Sequence, residues 1–162
     1  MQGLIMPALA TIQDAVTVSG QRLEYLDRFR FDGEPSAVEF SSLLREGSGL
    51  VTEHGFRRSD LWHSYTGFFD APSDGTSTKR LFQINVDIID EPSGPMPDAP
   101  QIRWTNITTA REDRLQPDEV DGRTRDADMI MKSFDSMHAE LKVVFGKLVT
   151  DAIAERVYLM GS

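Results

Sequence analysis

The last third of the chain carries the strongest constraint on the fold. Ile130, Phe134, Met137, Leu141, Val144 and Leu148 are separated by four, three, four, three and four residues. At 3.6 residues per turn, that spacing puts all six on one stripe of an α-helix. Val149, Ile153 and Val157 continue the stripe with the small drift of an unsupercoiled helix. The pattern predicts a long amphipathic helix over residues 128–160, with Asp126 and Asp128 at its positive end. At 1.5 Å per residue such a helix spans roughly 50 Å, more than a compact domain is wide. Either it breaks near Gly146 or Thr150, or its end projects. In both cases the stripe must be covered, by a sheet or by a second copy of the chain.

Upstream of that helix the periodicity changes to two. Phe82, Ile84, Val86 and Ile88 alternate with Gln83, Asn85 and Asp87. This predicts a strand over residues 79–90 in a sheet with one solvated face. Residues 16–31 read as one long, bent strand or two short ones, with Gly20 at the bend. Residues 59–71 form a looser strand, with Leu61, Tyr65 and Phe69 on one side and Trp62 and Phe68 on the other. Residues 101–109 form another, with Ile102 and Trp104 on one face. Asp32 to Pro35 reads as a turn. Ser36 and Glu39 then have the spacing of a capping box, which predicts a short helix carrying Val38, Leu43 and Leu44. Pro92, Pro95, Pro97 and Pro100 exclude regular structure between the last two strands.

The expected class is α+β. We expect an antiparallel sheet of four or five strands, one short helix, and the long C-terminal helix packed on one face. One domain covers residues 1–162, with an arm at 1–14 and an acidic loop at 111–127. The expected core is Val18, Leu23, Tyr25, Phe82, Ile84, Val86, Ile88, Ile102, Trp104, Phe134, Leu141, Phe145 and Leu148.

Charge and composition narrow the partners. The 17 basic and 26 acidic residues leave a net charge of −9. That field repels phosphate backbones, so nucleic acid is an unfavoured partner. The absence of cysteine excludes disulfides, thiol nucleophiles and thiolate metal sites. No apolar run reaches the roughly 20 residues that span a bilayer, so no membrane partner is expected. Residues 1–7 lack the pattern of a secretion signal, and the expected location is the cytoplasm.

Chemical motifs are sparse. His54, His63 and His138 have no metal-site spacing, and no metal or cofactor is expected. There is no glycine-rich phosphate loop and no nucleophile elbow. His63 on its strand, and Asp87 and Asp90 at the end of the next, are the candidate acid–base groups. Trp62, Tyr65 and Trp104 are the candidate ligand-lining residues, with core packing as the competing role.

Gly20-Gln-Arg-Leu-Glu-Tyr25-Leu-Asp-Arg-Phe, taken with Phe134, His138, Phe145 and Val149-Thr150, resembles a sporadically distributed bacterial family of unknown function. The chain is similar to that family's C-terminal half. Glu24 stands where the family commonly has an arginine. The resemblance implies topology and a bacterial origin, and its scattered distribution suggests a defence or mobile-element setting. It implies no chemistry.

The leading functional expectation is a non-enzymatic interaction or oligomerisation module. In this reading the chain is a homodimer joined through the distal stripe at Ile153 and Val157, and further protein partners are compatible with it. The alternative is a small-molecule-binding or hydrolytic domain with a pocket near His63 and Asp87.

Overall fold

The computed structural model describes residues 19–70, 79–114 and 127–158. Strand β1 is Gly20–Arg30, β2 is His63–Asp70, β3 is Lys79–Pro92 and β4 is Gln101–Arg114. Two 3-10 turns, Pro35–Ala37 and Phe40–Ser42, and the one-turn helix α1, Glu53–Phe56, lie between β1 and β2. Helix α2 is Ala127–Leu148 and helix α3 is Asp151–Tyr158. The strands form one antiparallel sheet in the order β1-β4-β3-β2. The architecture is α+β, and the long helix packs on one face of the sheet.

Strand β3 shows why the sheet has two unlike faces. Phe82, Ile84, Val86 and Ile88 are buried, and the residues between them are half-buried. The apolar set meets Leu141, Val144, Phe145 and Leu148 of α2 in the main core. Each fully buried side chain of this size contributes about 1.5–3 kcal/mol. The face opposite the helices is the open face.

Strand β4 fills the helix side differently. Its buried residues there include Arg103, Thr105, Ile107, Thr109, Arg111 and Asp113. Two of these are arginines, and each has carboxylate partners. Arg111 Nε and Nη2 donate to Asp113 at 2.7 and 2.5 Å. Its Nη1 lies 2.9 Å from Glu140 Oε2, in ion-pair range but out of line for a hydrogen bond. Arg103 forms a two-pronged pair with Asp90, at 2.8 Å on both prongs, and also donates to the carbonyls of Pro35 and Ser59. It therefore ties the sheet to the segments on either side of α1.

Four sequence expectations are decided or corrected. First, of the two alternatives for the helical stripe over 128–160, the break holds: it is two helices, separated at Val149–Thr150. Val149 forms a β-bridge with Leu44. Thr150 N–H donates to the Leu43 carbonyl, and its hydroxyl donates to the Ser42 carbonyl. Arg45 N–H donates to the Leu148 carbonyl, and its guanidinium reaches Val149 O and Asp151 Oδ1. The segment 42–45 thus takes up groups that a continuous helix would have bonded to itself.

Second, no α-helix starts at Ser36. Pro35 opens a 3-10 turn, and Val38 returns to extended backbone. Third, residues 111–114 of the expected acidic loop belong to β4, which continues to Arg114, and Ala127 opens α2; residues 115–126 lie outside the described residues. Fourth, Ile102 and Trp104 are half-buried on the open face, because the parity of β4 is set by Ile107. The expected arm at 1–14 and the core position Val18 lie outside the described residues. No described helix is long and apolar enough to cross a membrane.

Candidate functional site

The sheet register sets which side chains meet on the open face. Arg28, Asn106, Asp87 and His63 form one row across β1, β4, β3 and β2. Leu26, Thr108, Asn85 and Tyr65 form the next. Ile88 N–H bonds to the Trp62 carbonyl, so Trp62 and Ile88 are a hydrogen-bonded pair. His63 and Asp87, one step along, are then a non-hydrogen-bonded pair, the closer of the two cross-strand spacings. The structure therefore brings together two acid–base candidates that lie 24 positions apart in the sequence.

Their surroundings are polar and open. Asn85 Nδ2 donates to Asp87 Oδ2 at 2.7 Å. Asn106 Oδ1, next across the row, is buried without a hydrogen-bond partner. His63 is exposed. The nearest hydroxyl in sequence, Ser64, faces the other way and accepts a hydrogen bond from Thr52 N–H at 3.1 Å. The pair could exchange a proton with a bound molecule, but no nucleophile adjoins it on the strand.

The remaining candidates separate. Asp90 lies on the helix side, gripped by Arg103, whose guanidinium holds its carboxyl below the ordinary value of 3.8. Asp90 is thus occupied in a structural pair. Trp62 is also on the helix side, edge-on to Phe40 at 5.2 Å, with Gly55 directly beneath it. Tyr65 and Trp104 do share the open face. The Tyr65 hydroxyl accepts from Gln83, and Gln83 in turn accepts from Arg22. The Arg28 guanidinium lies 4.1 Å over the Trp104 ring, a cation–π contact, and pairs with Glu91. Trp62, Tyr65 and Trp104 therefore do not line one pocket. Among the described residues, no group of three His, Asp or Glu side chains is placed to hold a metal ion.

A second site lies on the helix side, beside β1. A cleft of about 90 Å³ is bounded by Tyr25 and Asp27 of β1, His138 and Phe145 of α2, and Val157 of α3. The Tyr25 hydroxyl is 2.5 Å from His138 Nδ1, with the rings edge-on at 5.5 Å. Burial raises the Asp27 carboxyl above its ordinary 3.8. Periodicity could not have paired Tyr25 with His138. Tyr25, His138 and Phe145, which lie in the stretches on which the expected resemblance was based, all border this cleft.

The two expected interface residues, Ile153 and Val157, both lie on α3. Ile153 packs on the core cluster, and Val157, 39 % exposed, borders the Tyr25 cleft. The break at Thr150 turns the distal stripe toward its own domain, where Ile153 is partly covered and Val157 stays exposed. Three more strongly exposed apolar residues, Leu26, Tyr65 and Phe69, at 67 %, 61 % and 73 %, share the open face, and Val143 of α2 is 58 % exposed.

The chain matches no family model, no curated protein sequence and no solved structure.

Proposed function

We propose that this chain is a non-enzymatic oligomerisation module that acts as a homodimer through the β-sheet. The observation that carries the reading is the location of Leu26, Tyr65 and Phe69, which with Met96 are the four most exposed large apolar side chains among the described residues, on the face turned away from the helices. Monomers seldom leave such groups together on one uncovered surface.

The reading keeps the resemblance to the sporadic bacterial family, supported by the convergence of its motif residues. It places the protein in the cytoplasm, where a chain without cysteines needs no oxidising compartment. Light scattering at micromolar concentration tests it: the expected mass is twice the 18.2 kDa of the chain. A well-folded monomer of 18.2 kDa would end the proposal.

A second reading rests on the adjacency of His63 and Asp87. There the open face binds a small polar molecule, with that pair as the acid–base element. Chemical-shift changes confined to His63, Asp87 and Asn106 in a ligand screen would favour it, and changes scattered over the surface would count against it.

A further inference from the structure

The two edges of the sheet are unlike, and the difference identifies how two copies join. Along β1, Arg22, Glu24, Asp27, Arg28 and Arg30 place charge at five of 11 positions. Charged side chains are a standard guard against edge-to-edge pairing. Between its end residues His63 and Asp70, strand β2 has no such guard. Ser64, Tyr65, Thr66, Gly67, Phe68 and Phe69 are uncharged and include no proline, and three of them are aromatic. In a chain of net charge −9, this is a stretch where two copies approach with little repulsion.

The backbone of β2 is suitably oriented. Because Trp62 and Ile88 are a hydrogen-bonded pair, Ser64, Thr66 and Phe68 also direct their amide groups toward β3. The N–H and C=O groups of His63, Tyr65, Gly67 and Phe69 then point outward from the sheet edge. No described backbone group outside the strand pairs bonds to them.

We propose that two copies pair antiparallel through β2, about a two-fold axis at Gly67, into one eight-stranded sheet. The inference rests on the homodimer reading above and specifies its contact. A two-fold axis perpendicular to the sheet keeps both open faces on the same side. In this register Gly67 meets the partner's Gly67, and Tyr65 meets the partner's Phe69 twice. The exposed aromatics thus become opposed cross-strand pairs, the side-chain unit that stabilises sheets. On the helix side Thr66 meets the partner's Phe68. Centring the axis on Thr66 would instead set Tyr65 against glycine and Phe69 against histidine.

The test is a charge exchange in the full chain, read by light scattering over a micromolar dilution series. The double variant Tyr65→Lys with Phe69→Lys sets lysine against lysine at both pairs, and it should raise the dimer dissociation constant by roughly tenfold or more. It also reduces the net charge from −9 to −7, so general repulsion alone would strengthen the dimer. Tyr65→Lys with Phe69→Glu restores opposite charges across the axis and leaves the net charge at −9, so dimerisation should return. Both side chains are mostly exposed, which leaves the monomer fold intact. Amide exchange gives an independent readout: Tyr65, Gly67 and Phe69 should be protected in the wild-type dimer and lose that protection on dilution.

A wild-type dimer that persists in the lysine–lysine variant, fails to recover in the lysine–glutamate variant or leaves those amides unprotected overturns the β2 contact alone. A wild-type monomer overturns the homodimer reading along with it.

Discussion

Replacing Arg103 with methionine should be among the costliest single changes on the β4 surface. The side chain is 7 % exposed and holds both oxygens of Asp90 at 2.8 Å, together with the carbonyls of Pro35 and Ser59. Hydrogen bonds to charged groups contribute about 1.5–3 kcal/mol each. Removing one member of a buried pair costs about 3–5 kcal/mol. Asp90 keeps 23 % exposure, so water recovers part of its loss, and the lower end, about 3 kcal/mol, is expected. In a domain of this size that lowers Tm by roughly 6–12 °C. Urea denaturation followed by circular dichroism measures it directly. The double variant Asp90→Leu with Arg103→Met removes both charges, and it should cost at least about 1.5 kcal/mol less than the sum of the two single changes.

The pH dependence has a definite sign. Arg103 lowers the folded-state carboxyl of Asp90 below 3.8, so the folded state holds that proton more weakly than the unfolded state does. The stabilisation is present above that value and is lost as pH falls through the folded-state one. The gap between wild type and Arg103→Met should therefore be widest near neutrality and narrow in acid. A cost under about 1 kcal/mol, or strict additivity in the double variant, would refute the assignment of Arg103 as the tie between sheet and loops.

Three further changes test other parts of the fold. Leu44→Ala empties a fully buried site at the bridge to Val149, and should cost about 3 kcal/mol and speed amide exchange at Thr150, as measured by denaturation and NMR. Asp27→Asn should stabilise the protein at pH 7 and have no effect near pH 3, because burial raises the folded-state carboxyl and its ionisation opposes folding only above 3.8; destabilisation at pH 7 would mean the carboxylate has a favourable partner. Gly55→Ala brings a methyl group to 3.0 Å from the Trp62 ring, and should cost about 1–2 kcal/mol with a change in tryptophan fluorescence.

The parts of the fold that could be read from sequence are those where one local period decides the structure. Phe82 to Ile88 alternates cleanly because one face of β3 meets α2 and the other does not. The stripe from Ile130 to Leu148 is a single helix face. The helix break was not decidable between Gly146 and Thr150, since Val149 and Ile153 keep the helical period. The groups that end α2 belong to Leu43, Leu44 and Arg45, about a hundred residues away.

Strand β4 hid its core face behind charge. Arg103 and Arg111 read as surface residues until their carboxylate partners are known. Yet Arg111 with Asp113, and Glu112 with Arg114, alternate in sign two residues apart. That is the spacing of same-face neighbours on a strand, and it marks residues 111–114 as extended rather than looped. The meeting of His63 with Asp87 depends on strand register, and that of Tyr25 with His138 on helix placement. Neither is encoded locally.

The order of the elements along the chain has a consequence for biosynthesis. The water-averse side of β3 is made well before the helix that shelters it. At roughly 5–20 residues per second, a ribosome takes several seconds to pass from Phe82 to Leu148. Throughout that interval the nascent sheet presents Phe82, Ile84, Val86 and Ile88 without their lid. Those seconds are when a chaperone would find the chain most accessible, and when stalled or shortened products would be most prone to clump.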